Sequence, residues 1–152
     1  MSVIRNPDDL TIYSQDSKKT ERRVSEIQVP ISPGELIDKI TILEIKSERM
    51  TDAKKVANVR HELGLLKTTW QASDYSATDI SAEWARLKTI NEQLWAIEDD
   101  IRDKERARAF DARFIELARA VYVTNDERAQ VKRIINDKLG SKIVEEKSYN
   151  AY

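Results

Sequence analysis

The chain has no cysteine, a single histidine, three glycines and three prolines among its 152 residues, and no long run of apolar residues. Each scarcity removes a class of explanation. Without thiols there are no disulfides, no thiolate metal sites and no cysteine nucleophile. With His61 alone, a multi-histidine metal centre is excluded, and any chemistry must rest on carboxylates, amides, arginine and lysine. So few glycines and prolines leave little turn chemistry for a sheet-rich fold. The opening MSVIRNPDDLTIYSQ lacks the apolar core of a signal peptide, and nothing approaches the roughly 18 apolar residues of a spanning helix. A cytoplasmic protein with no membrane segment is therefore expected.

What is abundant is charge, at 35% of the residues, set against 40% hydrophobic residues, a balance that suits long amphipathic helices. The 26 basic and 27 acidic residues are interspersed, with a formal net charge of -1. No basic footprint of the kind that drives nucleic-acid binding exists, so nucleic acid is not an expected partner.

Residues 1–24 are polar, without a sustained period, and end near KKTERR; they read as a flexible N-terminal arm. Residues 25–152 read as one helical domain. Ile27, Val29 and Ile31 alternate with polar or proline positions and predict a short extended lead-in. Ser32, Pro33 and Glu35 then supply an N-cap, a first-turn proline and the acid of a capping box. The helix they open, to about Met50, carries Leu36, Ile40 and Leu43 on one stripe and Ile37, Ile42 and Ile45 beside it, an apolar surface wide enough for a central position.

Thr51 or Asp52 can cap a second helix with Val56, Val59, Leu63, Leu66 and Trp70 at alternating three-four spacing. A third runs from about Ser81 to Ala107, its apolar seam interrupted by Asn91, Glu98 and Glu105. Asp111 can cap a fourth, which Gly140 ends. The apolar face of its second half, Val131, Ile135 and Leu139, is rotated from that of Phe114, Leu117 and Val121, and Thr124 with Glu127 makes a second potential capping box; a kink or break at YVTND is predicted. The expected fold is all-α: an antiparallel four-helix bundle of two helical hairpins with a short extended N-terminal lead-in.

With helices three and four antiparallel, Asn91 lies level with Arg128, and Glu98 is offset from Arg128 by roughly 10 Å. Asn91, Glu98, Asn125 and Arg128 are thus expected to form one inward polar cluster, bordered by Tyr122, that is costly unless its members satisfy one another or a ligand. Glu44 and Glu48, one turn apart on the first helix, are candidate holders of a divalent cation such as magnesium, with Glu98 as a third acid. No glycine-rich phosphate loop, nucleophile elbow or metalloprotease motif is present.

The segments VPISPGELIDKITILEIKSERM, NEQLWAIEDDIR and FIELARAVYVTNDERAQVKRIINDKLGS, with the ending VEEKSY, resemble a bacterial and phage family of unknown function. The resemblance runs from about Ile27 to Tyr149 and implies a helical domain without implying a reaction. LIDKITILEIKSER is also superficially similar to the first helix of helical chorismate mutases, though the early arginine of that pattern is missing. Glu44, Glu48 and Glu98 resemble in type the magnesium-binding acids of all-helical nucleoside triphosphate pyrophosphohydrolases, without their paired spacing. Two functions follow as expectations. One is a non-enzymatic interaction module that self-associates or takes a protein partner. The other is a site for a phosphorylated metabolite or nucleotide, as in a magnesium-dependent hydrolase, with Arg128 on the anionic group.

Overall fold

The computed structural model describes residues 26–152, so the predicted arm over 1–24 lies outside the described residues. Four α-helices follow in order: α1 Pro33–Arg49, α2 Ala53–Ala72, α3 Ser81–Arg106 and α4 Ala112–Leu139, with a 3-10 turn at Asp74–Ala77 before α3. Among the described residues there is no strand, and residues 27–32 carry no regular secondary structure. The all-helical bundle expected from the sequence is what forms.

Local chemistry sets the helix ends. The Ser32 hydroxyl accepts the Glu35 amide, with Pro33 at the first helical position. Asp52 caps α2 through the Lys55 amide and Asp111 caps α4 through Phe114. Such caps contribute about 1 kcal/mol each by satisfying amides that have no partner inside the helix. Gly140 closes α4 with φ 66, a left-handed conformation that costs glycine little.

The helix α1 is central, as its wide apolar surface predicts. Ile37 and Ile40 are fully buried, and with Leu36, Ile80, Leu87, Ile90, Leu94, Val131 and Ile135 they form the core. It packs against α2, α3 and α4, while α3 and α4 pair along the antiparallel hairpin. The α2 helix has no fully buried residue; Leu63, Leu66 and Trp70 lean on the core from outside, and Trp70 meets Trp84 edge to face at 6.0 Å.

The break predicted at YVTND does not occur: α4 is continuous from Ala112 to Leu139, and Thr124 is buried within it. The rotation of its apolar face has another cause. The second half of α4 meets both α3 and α1, whereas the first half faces α3, with the C-terminal tail reaching it at Tyr122. The Gly34 amide donates to Asn136 Oδ1 at 2.8 Å, and a Cβ at Gly34 would lie 2.5 Å from the Lys132 carbonyl. On α3, Asn91 bonds to Asp38 and Thr41 of α1. Thus α1 covers the half of the hairpin near Asn91 and Lys132, and toward the Ala107–Phe110 turn fewer residues of α3 and α4 are buried.

Candidate functional site

The polar groups of the sequence separate into two neighbourhoods. The first is buried at the start of α1. Asn91 Nδ2 donates to Asp38 Oδ1 at 2.9 Å and to Thr41 Oγ1 at 3.0 Å, and the Thr41 hydroxyl donates to the Asp38 carbonyl at 2.9 Å. All three residues are at most 5% exposed. Beside them Lys132 Nζ sits 2.7 Å from Glu35 Oε2 and 3.1 Å from Glu145 Oε1. Burial acts to lower the Lys132 pKa, but the hydrogen bonds to Glu35 and Glu145 outweigh it, and the net shift is upward. Lys132 is held as a cation. It ties the first turn of α1 and the C-terminal tail to the same turn of α4.

The second neighbourhood is an open cleft of about 520 Å³ between α4 and the tail. Tyr122, Asn125 and Arg128 line it from α4, and Glu146, Lys147 and Tyr149 from the tail. The tail is fastened at Asp126, which pairs with Lys147 and accepts the Tyr152 hydroxyl at 2.9 Å. Lys147 and Tyr152 together hold the Asp126 carboxyl below its usual range. Tyr152 also meets Tyr122 edge to face at 4.9 Å.

Of the residues singled out in the sequence, Tyr122, Asn125 and Arg128 therefore share one cleft. Asn91 is committed to Asp38 and Thr41, its Oδ1 left without a protein partner. Glu98 is half exposed and pairs with Arg102 one turn along α3. Glu44 pairs with Lys67 at 2.8 Å and accepts a long contact from Trp84 Nε1; Glu48 pairs with Lys88 at 2.6 Å. The three acids are not gathered at one point, and among the described residues no group of three His, Asp or Glu side chains is placed to hold a metal ion.

The segments carrying the family resemblance converge on this part of the molecule. Glu35 and Asp38 come from SPGELIDK, Asn91 from NEQLWAIEDDIR, Asn125 to Asn136 from NDERAQVKRIIN, and Glu145 and Lys147 from VEEK. A family model matches residues 27–152, and its description is a family of unknown function. The chain belongs to DUF6165. No curated protein and no solved structure matches it. Membership in DUF6165 thus brings no reaction, and the site is to be read from its chemistry.

Sequence reasoning missed Asp38, Lys132 and Asn136. A signal for Asp38 exists, since a helix apolar nearly all round buries its polar residues as well. Lys132 and Asn136 flank the apolar Val131 and Ile135 on α4 and are legible only once α1 is known to lie beside them. Among the described residues no helix is long and apolar enough to cross a membrane.

Proposed function

We infer that this protein is an interaction module that self-associates through the outer half of its α3–α4 hairpin. One observation carries the reading. The inner half of α3 buries Leu87, Ile90, Asn91 and Leu94, but no residue of α3 beyond Leu94 is buried. The outer half of α4 buries only Leu117 and Thr124, against Val131, Lys132, Ile135 and Asn136 in its inner half. Two helices cannot bury their own apolar stripes, and a stable layer needs a further element. Ile97, Ile101 and Phe114 are accordingly left half-covered, and Phe110 and Ile115 are exposed at 54% and 57%.

A second copy of the same hairpin supplies what is missing. Two hairpins face to face make a four-helix bundle, and a two-fold axis lets each present the same surface to the other. The charge pattern supports a like partner. Residues 95–124 hold seven acids and six bases, and ion pairs such as Lys104 with Asp111 and Arg113 with Glu116 already neutralise many of them. A surface so nearly balanced has no net sign to recruit an oppositely charged partner.

The absence of native cysteine makes the test clean. A spin label on Glu105→Cys, near the hairpin turn, places one probe in each chain. A defined label-to-label distance in pulsed electron resonance is expected. A featureless background decay at high protein concentration would remove the reading.

The alternative of a magnesium-dependent site for a phosphorylated metabolite has less behind it. Glu44 and Glu48 each hold a lysine, and three carboxylates line the cleft that contains Arg128.

A further inference from the structure

The cleft between α4 and the tail has an uneven ionic balance. Six charged side chains line it, three of each sign. Lys132 is satisfied by Glu35 and Glu145, and Lys147 by Asp126. That leaves Arg128 on the α4 wall and Glu146 on the tail wall. Neither makes an ion pair or a side-chain hydrogen bond among the described residues. Arg128 is half-buried and Glu146 exposed. Asn125, one turn before Arg128, lines the same wall, and Tyr122 and Tyr149 add two aromatic rings, with Val121 and Ala129 as an apolar floor.

We propose that this cleft binds a free α-amino acid with an apolar or aromatic side chain. A guanidinium is matched in shape to a carboxylate and binds it through two parallel hydrogen bonds. Asn125, on the same wall one turn earlier, supplies a further amide donor for that carboxylate. Glu146 complements an ammonium group, and the two tyrosine rings with Val121 and Ala129 complement an apolar body. A volume of about 520 Å³ is in the range of small-molecule sites. A phosphate dianion fits poorly, because the unpaired Glu146 carboxylate lines the same cleft as the one cation left over. The zwitterion satisfies both unpaired charges at once and adds no net charge to the cleft.

Calorimetric titration of the full chain tests this, with L-phenylalanine and L-leucine as ligands. Their carboxamides, their N-acetyl derivatives and inorganic phosphate serve as comparisons. Free amino acid is expected to bind. The carboxamide and Arg128→Leu each lose about tenfold or more in affinity, the scale of a lost charge-assisted pair. The N-acetyl form binds more weakly than the free amino acid to the wild type. Glu146→Gln, in the exposed tail and outside the core, abolishes that difference while melting as the wild type does. The proposal is overturned if neither amino acid binds at millimolar concentration or if phosphate binds more tightly. Equal affinity in a folded Arg128→Leu or Arg128→Lys variant overturns it too.

Discussion

The amide of Gly34 donates to the side-chain carbonyl of Asn136 at 2.8 Å, joining the first turn of α1 to the last turns of α4 across 102 residues of sequence. The contact is close because Gly34 has no side chain: a Cβ there would stand 2.5 Å from the Lys132 carbonyl and 2.8 Å from Asn136 Oδ1. The Lys132 carbonyl belongs to the backbone of a packed helix and cannot swing away.

Gly34→Ala is therefore expected to destabilise the fold by about 1–3 kcal/mol, the usual cost of overpacking a tight contact, and to lower the melting temperature by several degrees. Gly64 provides the opposite case. It lies inside α2 with nothing within 4 Å of its missing Cβ, so Gly64→Ala should stabilise by roughly 0.5–1 kcal/mol through helix propensity alone. Thermal melts of the two variants should move in opposite directions.

Asn91 and Asp38 provide a second test, because a buried carboxylate is tolerable only while its hydrogen bonds are kept. A double-mutant cycle with Asn91→Ala and Asp38→Ala should give a coupling of about 1–2 kcal/mol in denaturant unfolding. The solvent-facing Glu98–Arg102 pair should give at most a few tenths of a kcal/mol.

The contrast between these pairs marks how far the sequence could be read. Helix positions, the caps at Ser32, Asp52 and Asp111, and the central role of α1 all follow from patterning and short-range chemistry, which act over a few residues. The four-residue cluster of Asn91, Glu98, Asn125 and Arg128 expected from the sequence rests on vertical level along a hairpin. Level does not fix the direction in which a side chain points. Asn91 turns toward Asp38 on α1, Glu98 faces outward to Arg102, and only Asn125 and Arg128 remain together. The rotated apolar face of α4 was visible, but its meaning depended on which helix it faced. A long-range neighbour, not a break in the helix, explains it.

The tail should dock on α4 within a bounded pH window. The Asp126 pKa is lowered by Lys147 and Tyr152, so its contribution is fully present above the unfolded value of about 3.9 and is lost as pH falls through the lower folded value. The Tyr152 pKa is raised, chiefly by its hydrogen bond to Asp126. Its contribution is present below the unfolded value of about 10 and lost as pH rises through the higher folded value. The protection of the residue 145–152 amides, taken as the slowing of their exchange relative to that of an unstructured chain at the same pH, should therefore be greatest between these limits and fall at both ends. Asp126→Asn should flatten both limbs of that profile, since the Tyr152 shift also depends on Asp126, while leaving the protection of α1 unchanged.

Sedimentation equilibrium of the full chain, from low to high micromolar concentration, tests the central claim most directly. Self-association through the outer α3–α4 hairpin predicts a reversible rise to twice the mass of the single chain, and Ile101→Glu should prevent it while the core around Ile37, Ile40 and Ile135 still melts cooperatively. A wild-type protein with the mass of one chain at every concentration would contradict the account.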